Sequence, residues 1–180
     1  ETGLIVPLGE FVLNTACRQA KAWCDQTGFN LRVAVNLSAR QLEHSKEVVA
    51  MVEAALHESG LTASSLTLEI TESVLMDHAR DTIFTLHQLR GLGLHLAIDD
   101  FGTGYSSLGY LKRFPTDTLK VDRSFIQDMS HDQDAASIVA GIVALAHSLR
   151  LKVVAEGVET ETQRAALAEM KCDFLQGYLL

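Results

Sequence analysis

The chain has 180 residues, 47% hydrophobic and 21% charged, a balance that supports one sizeable core and fits a single domain. Its formal net charge of −8 argues against a general DNA, RNA or anionic-membrane surface, because phosphate backbones are bound by an excess of Lys and Arg. No stretch approaches the roughly 20 apolar residues of a membrane span and no signal peptide opens the chain, so the expected location is the cytoplasm, with any membrane anchor supplied by other domains of the parent protein.

The periodicity predicts a first helix from about Leu8 to Thr27, with Leu8, Val12, Ala16, Ala20 and Trp23 at helical spacing and Gly28 as its stop. A strand follows at 31–37, then a helix ending at Ser59-Gly60, a strand at 66–70 and a helix from Ala79 to Arg90 closed by Gly91. A strand at 94–99 leads into DDFGTGYSSLGYL, a short helical turn stopped before Pro115, and a strand at 118–122. The helix 135–149, with Ile138, Ile142, Leu145 and Leu149 as its packing stripe, precedes a strand at 152–156. A helix begun at Thr160, with Gln163 in capping-box register, and a last strand at 174–179 complete the series.

Strands separated by crossover helices imply parallel pairing, which fits either an open doubly wound sheet or a TIM-like barrel. Strand parity decides between them. Leu31, Val33, Val35 and Leu37 share a face opposite Asn36; Leu66, Leu68 and Ile70 oppose Glu69; Leu94, Leu96 and Ile98 oppose Asp99. Leu119 and Val121 oppose Lys120, Val153 and Ala155 oppose Glu156, and Leu175 opposes Gln176. A doubly wound sheet is apolar on both faces, whereas a barrel turns one face to its axis, so the fold expected is an α/β TIM-like barrel with Asn36, Glu69, Asp99, Lys120, Glu156 and Gln176 at the C-terminal strand ends.

Converging carboxylates repel, and buried charge without a partner is costly, so Glu69, Asp99, Asp100 and Glu156 together call for a cation. Oxygen donors, with the Asn36 amide and without inward His or Cys near them, point to Mg²⁺ or Mn²⁺ rather than Zn²⁺. The adjacent Asp99-Asp100 pair suits two ions flanking a phosphodiester, with Lys120 completing the charge balance. Lys120 and Glu156 are both expected at the solvent-facing rim, above the packed barrel layers.

NLSARQ at 36–41, EITES at 69–73, DDFGTGYSSL at 99–108, LKVDRSF at 119–125, AEGVET at 155–160 and QGYL at 176–179 resemble, in order and spacing, the motifs of EAL-domain phosphodiesterases. The resemblance covers essentially the whole chain and implies hydrolysis of cyclic di-GMP to linear pGpG with two divalent metals. It implies Asn36, Glu69 and Asp99 as ligands of one metal and Asp99, Asp100 and Glu156 as ligands of the second. Lys120 then positions the nucleophilic water, Glu156 serves also as general base, Glu72 stabilises the loop after Asp100, and Glu159 and Gln176 line the metal and guanine region. A homodimer is implied as well, coupled to the metal site through the DDFGTGYSSLGYL loop, whose Tyr105, Leu108, Tyr110 and Leu111 exceed the needs of one core face. Sensory or GGDEF-type domains are expected elsewhere in the parent protein.

In the family, two strands with the Glu-Ala-Leu motif precede the residue matching Glu1, and a proline-containing loop and helix follow the last strand. Residues 1–180 are therefore expected to be a partial domain that binds metal poorly and is inactive in isolation. The alternative function is a catalytically inactive cyclic di-GMP receptor of the same fold, but such a receptor should have lost some of the residues named, and all are present. An enolase-like barrel would share strand-end carboxylates without this series of motifs.

Other features read as structural. Gly102 and Gly104 lack the third glycine of a dinucleotide loop and follow two aspartates. Of seven histidines, His44, His57, His78, His87, His131 and His147 are scattered, and only His95 shares the inward phase, where it fills the barrel. Cys17, Cys24 and Cys172 lack disulfide or metal spacing and are expected as reduced thiols.

Overall fold

The computed structural model describes residues 4–43, 45–77, 79–104 and 111–180, and their side chains except those of 45, 75–77 and 79–81. The expectations for His44, His78 and residues 105–110, including Tyr105, Leu108 and Tyr110, lie outside the described residues.

The first helix, α1 (Ile5–Thr27), stops as the sequence expects: Gly28 takes φ 72°, a left-handed conformation that glycine adopts without a Cβ clash, and its N–H closes on the Cys24 carbonyl at 2.9 Å. The face it buries differs from the expected stripe. Leu13, Cys17 and Ala20 face the core, while Leu8, Val12 and Trp23 are exposed, Trp23 by 48%. The helix carries apolar residues over a wide arc, and the small Cys17 and Ala20 permit the closer approach.

In chain order there follow β1 (Val33–Asn36), α2 (Ala39–Glu43), α3 (Ser45–Ser59), β2 (Leu66–Thr71), α4 (Glu72–Asp77) and α5 (Ala79–Gly91). Then come β3 (His95–Phe101), β4 (Thr118–Val121), α6 (Arg123–Asp128), α7 (Gln133–Ser148), β5 (Lys152–Glu156), α8 (Glu161–Glu169) and β6 (Phe174–Gln176). The short α2, α4 and α6 were not expected, because they span too few residues to show a period. Local caps start two of them. Ser38 and Gln41 form a reciprocal cap for α2, with the Ser38 N–H donating to Gln41 Oε1 at 3.1 Å, and Asp122 Oδ1 accepts the Ser124 N–H of α6 at 2.9 Å. The predicted box at the start of α8 is present, with Thr160 and Gln163 bonded both ways.

Among the described residues all five strand pairings are parallel and the sheet order is β1-β2-β3-β4-β5-β6, with no reversal of direction across the sheet. A doubly wound sheet has a switch point in its strand order, whereas successive staves of a βα barrel run in sequence, as here. Burial supports the same assignment. Leu66, Leu68, Ile70, Leu96, Ile98, Leu119, Val121, Val153 and Ala155 are buried under the helices. On the opposite phase Thr67, Ala97, Asp99 and Lys120 are buried in the middle strands, while Ala34, Asn36, Phe174 and Gln176 are exposed on β1 and β6. On α7, Ala135, Val139, Ile142, Val143 and Ala146 are buried and Ile138 is 48% exposed, so the packing stripe lies partly off the one expected.

The N-terminal strand ends are tied by two aspartates. Asp117 Oδ2 accepts the Leu96 N–H at 3.1 Å, is bonded by Arg90 and lies 3.4 Å from His95 Nδ1, which gives His95 a polar partner beyond barrel filling. Asp173 Oδ2 accepts the Val153 N–H at 3.0 Å and pairs with His147 Nε2 at 2.9 Å, and its Oδ1 accepts Lys152 Nζ at 2.6 Å. Burial pushes the Asp173 carboxyl up, but the bonds from Lys152, His147 and Val153 outweigh it and hold the pKa below the usual carboxylate range. Replacing Asp173 by Ala should therefore cost about 1–2 kcal/mol at pH 7 in urea denaturation. Because the folded pKa is depressed, that contribution is present above the unfolded value of about 3.9 and is lost as pH falls through the folded one. The gap between parent and variant should close in acid, and a gap independent of pH would contradict the assignment.

Candidate metal centre

Three strands deliver carboxylates to one place. Asp99 follows the inward parity of β3, but Asp100, its immediate neighbour, would point the other way in a regular strand. Two local departures accompany its turn. The pairing of β3 with β4 shifts register between Ile98 and Phe101, and Asp100 sits at φ 54°, a left-handed conformation that Asp tolerates better than most residues. Single oxygens of Asp99, Asp100 and Glu156 consequently lie within 4.8 Å of one another.

Lys120 stands at the centre of this group. Its Nζ lies 2.6 Å from Glu156 Oε1, 2.9 Å from Glu69 Oε2 and 3.0 Å from Asp99 Oδ1, so the three donors of the ammonium match three carboxylates from β5, β2 and β3. The expected rim position is corrected here: Lys120 is buried, 5% exposed, and its charge is sustained by the acids around it. Desolvation alone would depress its pKa, but the hydrogen bonds it donates to Glu156, Glu69 and Asp99 push it well above the usual lysine value.

The acids remain in excess. Burial raises the Glu156 carboxyl, with Asp99 and Glu69 adding to the effect and Lys120 opposing it. Burial also raises Asp100, helped by Asp99 and Asp122 and opposed by Lys120. Four carboxylates against one ammonium leave uncompensated negative charge on oxygen donors alone, which is the donor set of a hard divalent cation. The residues present fit such an ion.

The remaining sequence-derived candidates fall around this centre. Asn36 ends β1 in register with Glu69 and is exposed. Glu72 is buried and its Oε2 accepts the Gly102 N–H at 2.8 Å, binding the start of α4 to the loop after Asp100. A side chain at Gly104 would place its Cβ 2.9 Å from Glu72 Oε1, so a larger residue there would displace the carboxylate that holds the loop. Gln176 is in register with Glu156, and Glu156, Glu159 and Gln176 line one cavity of about 410 Å³. Arg123 and Tyr178 line it too and were not anticipated. The signal for Arg123 was its place directly after Asp122, the capping residue of α6.

The family model of the EAL domain matches residues 1–180. The bifunctional diguanylate cyclase/cyclic di-GMP phosphodiesterase MucR of Pseudomonas aeruginosa is 51% identical over 180 residues, which are 100% of this chain and 26% of that protein. The chain thus spans about a quarter of that relative's length. A solved structure of the PaMucR phosphodiesterase in a c-di-GMP complex is similar with a TM-score of 0.95 and 51% identity, over 99% of this chain and 72% of that one. Klebsiella pneumoniae BlrP1 in a manganese/cyclic di-GMP complex is similar with a TM-score of 0.82 and 32% identity, over 94% of this chain and 44% of that one.

Replacing Lys120 by Met should leave Glu69, Asp99 and Glu156 without their shared cation and cost the metal-free protein about 3 kcal/mol. Adding Mn²⁺ should recover part of the loss, since a divalent ion supplies the missing charge. Urea denaturation in EDTA and in Mn²⁺ measures both, and a variant as stable as the parent in EDTA would show that the ammonium does not organise the acids.

Proposed function

The chain belongs to the EAL domain family, and from that premise we propose that the protein carrying it hydrolyses cyclic di-GMP to linear pGpG using Mg²⁺ or Mn²⁺. The observation that carries this reading is the convergence of Asp99, Asp100 and Glu156 with Lys120 bonded to three acids at their centre. In this reading Asn36, Glu69 and Asp99 hold one ion, and Asp99, Asp100 and Glu156 the other. Bound there, the ions supply Lewis-acid polarisation of the phosphodiester and lower the pKa of water.

The protein's own groups do the rest. Glu156, whose carboxyl is raised by burial, takes the proton of the attacking water. The water oxygen bonds to phosphorus, one P–O bond of the ring breaks, and the released ribose oxygen takes up a proton from solvent as the linear dinucleotide forms. Lys120 orients the water, handing to it one of the donors that now serve Glu69, Asp99 and Glu156. Glu72 keeps the loop after Asp100 in place through Gly102, and Glu159 and Gln176 line the wall beside Glu156.

The rival reading, a receptor that binds without turnover, is disfavoured because every one of these groups is present. We further propose that the protein acts as a homodimer whose contacts communicate through the loop beginning at Asp99, with sensory or GGDEF-type domains regulating it. We propose the cytoplasm as the location, as the sequence reading expects; among the described residues no helix is long and apolar enough to cross a membrane.

Incubation of the full-length protein with cyclic di-GMP and Mn²⁺, followed by chromatography, should yield pGpG. Glu156→Ala and Lys120→Ala should each lower kcat by at least about 100-fold. Binding without cleavage would establish the receptor. Ca²⁺ should inhibit, because its looser and higher coordination spoils the spacing of a two-metal displacement. Sedimentation should show a dimer at assay concentration, and a fully active monomer would end the coupling proposal.

A further inference from the structure

Two of the three close acids are followed, within two residues, by a glycine that rests against the same short helix, α6. Beyond Asp100, Gly102 sits at φ 102°, and a Cβ there would lie 2.7 Å from Cε2 of the Phe125 ring. Beyond Glu156, Gly157 sits at φ 74°, and a Cβ there would lie 2.7 Å from Arg123 Cβ. Arg123 and Phe125 belong to one turn of α6, so the loop after Asp100 and the loop after Glu156 share a single seat.

That seat is itself fixed by groups outside the acids. Asp122 caps α6 by accepting the Ser124 N–H at 2.9 Å, and Ile126 anchors the helix in the core. Buried Gln163 then bonds the helix to the second loop: its Nε2 donates to the Ile126 carbonyl at 3.0 Å, while its Oε1 accepts the Glu159 and Thr160 N–H groups at 2.8 and 2.9 Å. The first loop is held differently. Gly102 gives its N–H to Glu72 at 2.8 Å and meets the partly buried Phe125 ring where a side chain would otherwise be.

We propose that α6 sets the spacing of Asp100 and Glu156, with Phe125 and Gln163 as positioning residues for the ion those acids hold, an inference that rests on the metal reading above. Lys120 cannot set this spacing alone, because its ammonium bonds Glu69, Asp99 and Glu156 and leaves Asp100 to its loop. Nor does the strand, since Asp100 has left the alternation of β3 at φ 54°. A hard divalent ion needs its oxygen donors at nearly fixed distances, so a carboxylate whose loop drifts is lost as a ligand. An aromatic ring against a glycine and an amide on a carbonyl add no charge, and they hold the acids in place without competing with the ion for them.

The test uses the full-length protein, with Mn²⁺ titration calorimetry in the absence of substrate and urea denaturation in EDTA. Gln163→Glu is the sharper variant. Its carboxylate, ionised at pH 8, still accepts the Glu159 and Thr160 N–H groups but has no proton for the Ile126 carbonyl, and its added negative charge would by itself favour a cation. It should nonetheless weaken the binding of one Mn²⁺ about tenfold. Phe125→Ala should do the same, and Phe125→Leu, which refills most of the space beside Gly102, should recover most of the loss. In both weakened variants kcat should fall at low Mn²⁺ and return at saturating Mn²⁺, with KM for cyclic di-GMP unmoved. Val52→Ala, in the buried face of α3, should lower stability in urea and leave Mn²⁺ affinity as in the parent. Unchanged Mn²⁺ affinity in Gln163→Glu overturns the proposal while leaving the metal reading in place. Equal weakening in Val52→Ala overturns it too, since general loss of stability would then account for the effect. A parent protein that binds no Mn²⁺ removes both.

Discussion

One ammonium holding three carboxylates is the constraint around which the site is arranged. Glu69, Asp99 and Glu156 come from three different strands, and like charges at such distances drive strands apart unless something between them is positive. Lys120 is placed for this by parallel pairing: β4 lies between β3 and β5, so its inward side chain emerges among the acids of its neighbours. Burial makes the arrangement mutual. The lysine retains its proton because the acids surround it, and the acids stay together because the lysine does. Asp100 is left over from this pairing, which is why the group as a whole keeps an appetite for divalent charge.

The loops that bear the functional residues are secured by backbone bonding rather than by bulk. After β1, Gln41 and Ser38 close a reciprocal cap two residues beyond Asn36; after β5, Gln163 and Thr160 do the same beyond Glu156. Both glutamines are buried and both use the side-chain oxygen on loop N–H groups. A loop at the mouth of a barrel has no ladder partner for its amides, and a buried amide oxygen supplies one without adding charge to a site already crowded with acids. Glu72 solves the same problem after β3 with a carboxylate, bonded to the Gly102 N–H.

Strand parity made the barrel and its polar phase legible, because a side chain's face in a strand depends on nothing but its position in the alternation. Asn36, Glu69, Asp99, Lys120, Glu156 and Gln176 all followed from that rule. What the rule could not give was depth. Lys120 occupies an inward position one residue short of the end of β4, and its burial depends on the long acids of neighbouring strands, which no single strand records. Helix faces were less legible than strand faces for a related reason. On α1 and α7 more apolar residues are present than one face can bury, and the choice among them is made by how closely each packs against its neighbours rather than by the period itself.

Asp100 shows the limit most plainly. By alternation it belongs to the helix-facing side, and its inclusion among the metal ligands came from its adjacency to Asp99 and from the resemblance, not from the parity rule. The structure supplies the geometric reason in two coupled distortions, a register shift between Ile98 and Phe101 and a left-handed φ at Asp100. A non-glycine residue at φ 54° is held there at a cost of about 1–3 kcal/mol, and strain of that kind persists where its surroundings over-determine it. Here they do so from both ends, since β3 is paired with β2 up to Asp99 and the Gly102 N–H is tied to buried Glu72. The glycines at 102 and 104 therefore serve the acid before them: Gly102, at φ 102° and packed against the Phe125 ring, gives its N–H to Glu72, and Gly104 passes close to the same carboxylate, which holds the bend that brings Asp100 round to Glu156.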